Sequence, residues 1–450
     1  MKKEKIAILG ISHFGTSLAL FLNKRGYNVF LSDIKKKSTL KKYTDELEKA
    51  DIAFETGRNT KKLLRADIIV RSPGVWLIHP LLLEAKVRKI PVINGLDLLK
   101  RYLPKKTKIV AVTGTNGKTT TVNTITNILK TAGYKCAVSG HRNTPLPYLI
   151  ESKIKYDFIL LEMGAAELDD FKGMDFFACI LLNLHKDHLD RFKKMSLYAS
   201  AKMNIFNRCR SKALCIINKD NKYIRSFLNS VSGKLIPFST KVSEGSHYYI
   251  KKNIIFHKRS PIIEIPNKIH INKECLVACI SFCHKIGINK KDIKRCLSFS
   301  SPIEHRFEEV RRTKGITFIN DAKSTNFESL RFALKKIKGK KILIIEGRDR
   351  NNIFISVIKK LQKMKDIRKI LISGDIAKDF TKKHPYFIKN DLQLPVDIII
   401  GTMKRTVKSS FSFSKKGDTV IFSPGFPFSL GSYKSAEERG NQFKEAVMLL

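Results

Sequence analysis

Short apolar runs alternate along this chain with segments whose apolar positions recur at helical spacing, a pattern that predicts an α/β architecture. Ile6-Ala7-Ile8-Leu9 leads into a helical pattern through Leu22, then into Val29-Phe30-Leu31-Ser32-Asp33, and later Ile68-Ile69-Val70 follows. A second series holds Ile109-Val110-Ala111-Val112, Phe158-Ile159-Leu160-Leu161 and Ala178-Cys179-Ile180-Leu181-Leu182. The pattern restarts with Ile316-Thr317-Phe318-Ile319, Lys341-Ile342-Leu343-Ile344-Ile345, Lys369-Ile370-Leu371-Ile372 and Thr419-Val420-Ile421-Phe422. Leu103-Pro104-Lys105-Lys106 and Phe299-Ser300-Ser301-Pro302 punctuate the series, so three domains are expected, at 1–102, 103–301 and 302–450.

The apolar content, 43 %, is ample for packed cores in 450 residues. The formal charge of +46 invites a nucleic-acid reading, yet Lys and Arg are scattered and their tight clusters, such as Lys35-Lys36-Lys37, are short. A compositional lysine bias accounts for it, and the resulting field suits anionic small molecules. The first apolar run stops at Gly10, too early for a signal peptide or a membrane span, so a cytoplasmic protein is expected. Eight cysteines, none in a CxxC pair, make no disulfide framework. Cys275, Cys279 and Cys283 recur every four residues beside His284; a buried helix stripe explains them better than a metal site.

The strand ending at Val112 runs into Thr113-Gly114-Thr115-Asn116-Gly117-Lys118-Thr119-Thr120. Gly114 and Gly117 let backbone N–H groups approach phosphates, Lys118 can bridge the terminal pair, and the Thr119 hydroxyl suits Mg²⁺. A helix from about Thr120 to Thr131 would aim its positive end at the anion. Val112 stands where the general P-loop has its first glycine, so this is a shorter variant.

Gly10-Ile11-Ser12-His13-Phe14-Gly15 with Asp33 ending the next strand has the form of a dinucleotide-type turn. Ser12 replaces the middle glycine, which weakens an NAD reading and leaves a UDP-type ligand or a purely structural turn. At the carboxyl edge of the second series stand Glu162 and Asn183-Leu184-His185-Lys186-Asp187-His188-Leu189-Asp190-Arg191. Glu162 and His188 could join Thr119 around Mg²⁺, making a two-metal site plausible; zinc on His185 and His188 lacks a third ligand at suitable spacing.

With these residues in view, the chain resembles the Mur ligases, ATP-dependent amide-forming enzymes of peptidoglycan precursor synthesis, along all three segments. The loop through Thr120, Asn183 to Arg191, and Tyr198-Ala199-Ser200-Ala201-Lys202 are similar to family blocks. Glu304-His305-Arg306-Phe307-Glu308 and Ile319-Asn320-Asp321-Ala322-Lys323-Ser324-Thr325-Asn326 resemble the D-glutamate-adding branch, as do Phe422-Ser423-Pro424-Gly425 and Arg439-Gly440-Asn441-Gln442-Phe443. The resemblance implies a Rossmann-like N-terminal domain for a UDP substrate, a central P-loop ATPase-type domain and a C-terminal Rossmann-like domain for the amino acid. The implied substrates are UDP-N-acetylmuramoyl-L-alanine and D-glutamate, with ATP, two Mg²⁺ ions and a carbamoylated Lys202, in a monomer that engages neither nucleic acid nor membrane.

By the same resemblance, Lys118, Glu162, His188, Lys202, Arg306 and Lys323 are catalytic. Residues Gly114, Thr115, Asn116, Gly117, Lys118, Thr119 and Thr120, with Arg306 and Asp321, hold ATP, and Thr119, Glu162, His188 and Lys202 hold metal. Ser12, His13, Asp33, Ser72 and Asn94 take the UDP moiety, and Lys323, Thr325, Arg350 and Ser429 take the amino acid. Gly140-His141-Arg142-Asn143-Thr144-Pro145 departs from the family's Gly-Asn-x-Gly-x-Pro, and the stretch from Lys268 through Ile271 to Glu274 lacks the asparagines of Gly-x-His-Asn-x-x-Asn. These changes bear on adenine recognition, and Arg350 in place of lysine bears on amino-acid specificity. A related cell-wall or folylpolyglutamate-type ligase using another amino acid, and a non-catalytic binding protein, either a nucleotide- or UDP-sugar-binding homologue or a basic nucleic-acid binder, are the alternative readings.

Overall fold

The computed structural model describes residues 4–140, 143–266, 269, 271–298, 304–349, 353–361, 363–383, 396–399, 401–428, 433 and 435–450. The chain forms two compact units, Met1–Ser300 and Ser301–Leu450.

Unit one carries two sheets. The first has the order β3-β2-β1-β4-β5, all parallel, built from β1 (Lys5–Leu9), β2 (Asn28–Asp33), β3 (Ala53–Thr56), β4 (Ile68–Arg71) and β5 (Val92–Asn94). The second contains β6 (Lys108–Thr113), β7 (Cys136–Gly140), β8 (Phe158–Glu162), β9 (Ala178–Leu181), β10 (Leu214–Asn218), β11 (Lys234–Phe238), β12 (Tyr248–Lys251), β13 (Ile254–His257) and β14 (Ser260–Glu264). Its order is β14-β13-β12-β11-β10-β9-β6-β8-β7, parallel from β7 through β12, with an antiparallel end made by β12, β13 and β14.

Continuous apolar runs form the centre of that sheet because both its faces are covered. Val110 and Val112 pack with Ile125, Leu129, Cys275 and Cys279 on one face, while Ile109 and Ala111 join Ile159, Leu161 and Cys179 in the core on the other. The cysteine stripe at 275, 279 and 283 is buried core of helix Lys273–Lys285. Parallel pairing of β6 with β8 and β9 sets Thr113, Glu162 and Leu181 at one edge, where loops from three strands converge.

Unit two holds, among the described residues, β15 (Glu308–Thr313), β16 (Ile316–Asn320), β17 (Lys341–Glu346), β18 (Ile367–Ser373), β19 (Val396–Ile398) and β20 (Thr419–Gly425) in the order β15-β16-β20-β17-β18-β19. β15 runs antiparallel to β16 and the rest are parallel. Helices cover both faces, with separate cores around Leu343 and Ile370 and around Phe318 and Phe443. Among the described residues no helix is long and apolar enough to cross a membrane.

Candidate active site

Gly117 ends the glycine loop in a left-handed conformation, φ 85°, and caps helix Lys118–Thr131, which therefore starts two residues before the expected Thr120. A Cβ at Gly117 would lie 2.4 Å from the Cys275 Sγ, so both backbone conformation and packing call for glycine. The loop is braced from the β9 side. The Thr115 N–H donates to the Asn183 carbonyl at 2.9 Å and the Asn116 N–H to the Asn183 side-chain oxygen at 2.9 Å. The Asn183 amide in turn donates to Glu274 at 2.8 Å. Thr115 Oγ1 accepts from the His185 N–H at 3.0 Å and meets the Tyr198 hydroxyl at 3.0 Å.

Lys118 curls over this loop, its ammonium donating to the carbonyls of Gly114 at 2.9 Å and Thr115 at 3.0 Å. Thr119 donates to Glu162, its Oγ1 lying 3.0 and 2.9 Å from the two carboxylate oxygens. Thr120 stands partly exposed on the same first turn. A hydroxyl and a carboxylate thus meet beside an ammonium at a helix N-terminus, a set of hard oxygen donors suited to Mg²⁺ and its phosphate.

Lys202 lies under the same edge, 1 % exposed, on helix Met195–Met203. Its ammonium donates to Thr113 Oγ1 at 3.2 Å and sits 5.3 Å from the centre of the buried Tyr198 ring. Burial first, and then Lys118, push its pKa well below the usual lysine value, against the pull of Glu167, Asp187 and Glu162. His188 stands in left-handed backbone, φ 53°, at the start of the one-turn helix Leu189–Phe192, its ring 6.2 Å from Tyr198. The protein around the ring lowers its pKa, as do Lys202 and Lys118, while Asp187 opposes them. Among the described residues no three His, Cys, Asp or Glu side chains converge at metal-ligating distance; the donor set here mixes these types with Thr119 and Lys202.

In the first sheet, Ser12, Asp33 and Ser72 surround the turn at Gly10. Ser12 Oγ accepts from the Gly15 N–H at 3.1 Å, capping helix His13–Asn23. Asp33 accepts the Ile11 N–H on one oxygen and the Lys35 N–H on the other, both at 2.8 Å, and Ser72 Oγ donates to the Gly10 carbonyl at 2.9 Å. His13 stands beside Ser12 with its ring against Tyr43. Asn94 spends its side chain elsewhere: it caps the helix at Leu96 and donates to the Glu167 carbonyl and to Asp170.

In unit two, Asp321 is buried, accepting from the Phe307 N–H at 3.2 Å and the Ser423 hydroxyl at 2.8 Å. Burial raises its pKa to about 6, with Arg306, Ser423, Phe307 and Ser324 acting against it. Lys323 pairs with Glu437 at 3.4 Å, and Thr325 is half-buried two residues on. Arg350, Ser429 and His141 lie outside the described residues. Ile271 packs at the margin of the core beneath the glycine loop, and Glu274 is the partner of Asn183 noted above. Behind Asp321 lies a frame of residues from the quoted sequence blocks that received no role. There His305, 1 % exposed, meets Asn320 at 2.9 Å, and Arg439, fully buried, donates to the Ala322 carbonyl at 2.7 Å.

Comparison with known proteins identifies this assembly. Residues 4–94 match the Mur ligase MurD-like N-terminal domain and residues 112–277 the Mur ligase middle domain. The chain is 32 % identical over 456 residues to the UDP-N-acetylmuramoylalanine–D-glutamate ligase of Bacteroides fragilis, covering 99 % of both chains. Among solved structures, MurF from Acinetobacter baumannii superposes with a TM-score of 0.62 at 14 % identity, covering 98 % of this chain and 93 % of that one. MurF from Thermotoga maritima, solved with ADP, gives 0.57 at 16 % identity over 94 % and 95 %. Similarity along the full length of both partners makes the chain a member of the Mur ligase family, the ATP-dependent enzymes that form amide bonds.

Proposed function

We propose that the protein joins D-glutamate to UDP-N-acetylmuramoyl-L-alanine, with ATP consumed through an acyl phosphate. The contact between Thr119 and Glu162, beside Lys118 and above the buried Lys202, carries the reading. The full-length similarity to D-glutamate-adding relatives supports the choice of substrates.

An amide cannot form directly from a carboxylate, whose leaving group would be oxide. In the proposed reaction the L-alanyl carboxylate takes the γ-phosphoryl group of ATP, ADP departs, and the D-glutamate amine attacks the acyl carbon and expels phosphate. Catalysis here is positioning and charge stabilisation. Lys118 would turn from the loop carbonyls to the phosphates, and the N–H groups from Gly117 to Thr120 would line them, those of Thr115 and Asn116 being held by Asn183. Bound Mg²⁺ supplies charge neutralisation at the phosphoryl oxygens, and Thr119, Glu162, His188 and a carbamoylated Lys202 are the residues that would hold it. Burial makes the Lys202 ammonium easier to deprotonate, and the free amine is the form that adds to carbon dioxide, which is why Lys202 suits carbamoylation.

We assign residues 1–102 to the UDP substrate, with Ser12, His13, Asp33 and Ser72 at the turn and Asn94 behind it. We assign 103–301 to ATP and metal, and 302–450 to the amino acid. In that last segment Asp321 would accept the ATP ribose hydroxyls, Arg306 and Lys323 would face phosphate or carboxylate, and Lys323, Thr325, Arg350 and Ser429 would hold D-glutamate. Phosphate release is measured with ATP, Mg²⁺ and UDP-N-acetylmuramoyl-L-alanine across a panel of amino acids. Release that depends on D-glutamate, with a new amide in the nucleotide product, is expected. Release with another amino acid instead, or with none, contradicts the assignment.

A further inference from the structure

Arg191 ends the block that begins at Asn183, yet none of the roles above uses it. Its side chain, 10 % exposed, reaches from the one-turn helix after His188 into the first sheet's territory. One guanidinium nitrogen donates to the Pro73 carbonyl at 2.8 Å and the other to the Val75 carbonyl at 3.3 Å, while Asp169 holds the fork at 3.0 Å. Arg71, wholly buried and gripped by Asp170, reaches the same two carbonyls from beneath, at 3.4 and 2.7 Å.

The turn Ser72-Pro73-Gly74-Val75, closed by the Val75 N–H on the Ser72 carbonyl at 3.0 Å, is therefore held by two cations through its carbonyl side. A trans peptide places its N–H opposite its C=O. Fixing the Pro73 and Val75 carbonyls inward turns the N–H groups of Gly74 and Trp76 the other way. Beside Gly74 the space is open, with no described atom within 4 Å of where a Cβ would stand. Outward backbone donors beside open space are a cradle for an anion.

The two arginines differ in what they connect. Arg71 ties the turn to the segment Ala166–Asp170, a junction that Asn94 also secures. Arg191 ties it to His188, three residues away, through a helix whose first bond runs from the Arg191 N–H to the His188 carbonyl at 3.1 Å. We propose that Arg191 is a positioning residue that fixes the Pro73–Val75 turn relative to His188, so that the diphosphate of the UDP substrate is held at one spacing from the phosphoryl-transfer site. The proposal rests on the ligase reading above.

The test compares wild type with Arg191→Ala, Arg191→Lys and Asp169→Asn. Steady-state KM is measured for UDP-N-acetylmuramoyl-L-alanine and for ATP, calorimetric Kd for the UDP substrate without turnover, and melting temperature for each protein. Arg191→Ala is expected to raise KM and Kd for the UDP substrate at least tenfold with KM for ATP within twofold, its melting temperature held by the Arg71 junction. Arg191→Lys, a point donor in place of a fork, and Asp169→Asn should fall between. Equal KM and Kd values in wild type and Arg191→Ala, or both KM values rising together with a lowered melting temperature, would overturn the proposal. Wild type that binds the UDP substrate but forms no amide defeats the ligase reading alone, and the Kd ratio then decides on Arg191. No binding by wild type overturns both.

Discussion

Replacing Lys202 by methionine separates what this side chain costs the fold from what it gives the reaction. Lys202 is 1 % exposed, donates one hydrogen bond, to Thr113 at 3.2 Å, and enters no ion pair among the described residues. Thr113 loses little when the lysine goes, because its own hydroxyl donates to the Met163 carbonyl at 2.7 Å. Methionine fills nearly the same volume without a charge, and exchanging buried ionic groups for well-packed apolar ones stabilises proteins by about 1–4 kcal/mol. At about 2 °C per kcal/mol, the low end of that range is a rise in melting temperature of about 2 °C. The pH dependence carries the sign. An unfolded lysine titrates near 10.4, and the folded one lower, so between these values the unfolded chain binds more protons and wild-type stability rises with pH. The advantage of Lys202→Met should therefore be largest near neutrality and shrink toward pH 10. Scanning calorimetry at pH 7 and 9 in carbonate-free buffer reads the stability effects, and phosphate release, assayed with bicarbonate present, should fall at least about a hundredfold at 25 °C. A variant that melts lower than wild type at pH 7, or a gap that widens at pH 9, would refute the electrostatic argument, and full activity would refute the role of Lys202.

Other outcomes follow from the same geometry. Lys118→Ala should end ATP turnover while leaving the melting temperature unchanged, since its ammonium rests on loop carbonyls of Gly114 and Thr115; unchanged phosphate release would remove the phosphate-cradle assignment. Gly117→Ala should lose about 1–2 kcal/mol from left-handed backbone alone, and more from the Cys275 contact, so denaturant titration should show a deficit that Cys275→Ala relieves only in part. Asp321, with its pKa raised to about 6 in the fold against 3.8 unfolded, favours the folded state most below pH 3.8, and that contribution is lost as pH rises through 6. Its size is about 3 kcal/mol. Asp321→Asn should therefore flatten the decline in stability of unit two between pH 4 and 6.5, and a parallel decline in the variant would assign the pH dependence to other groups.

Strands with both faces covered were legible as unbroken apolar runs, and Ile109–Val112, Phe158–Leu161, Ala178–Leu181 and Lys341–Ile345 all emerge as strands, with Leu182 of the third run falling just past its end. Edge and short strands left no such mark: β15 reads Glu-Glu-Val-Arg-Arg-Thr, β5 is three residues long, and the antiparallel end from β12 to β14 shows no extended apolar run. At the site, Gly117, Lys118, Thr119 and Glu162 could be read from spacing, because a strand, a glycine turn and a helix are local. The links between Asn183 and Glu274, Tyr198 and Thr115, and Arg191 and Pro73 depend on tertiary folding that brings distant segments together, and no local pattern encodes them. Helix Lys118–Thr131 starts early because Gly117 itself supplies the left-handed cap, whereas polar caps of the Ser12 kind announce themselves.

The central claim is that a carboxylate is activated by phosphorylation before the amine arrives, and oxygen-18 in that carboxylate tests it most directly. The protein is incubated with ATP, Mg²⁺, D-glutamate and UDP-N-acetylmuramoyl-L-alanine labelled in the alanyl carboxylate, and the released phosphate is analysed by mass spectrometry. One labelled oxygen per phosphate, appearing in step with the D-glutamyl amide, is the predicted result. Phosphate that carries no label while the amide forms would contradict the acyl-phosphate route, and phosphate released without any amide would contradict the ligase assignment itself.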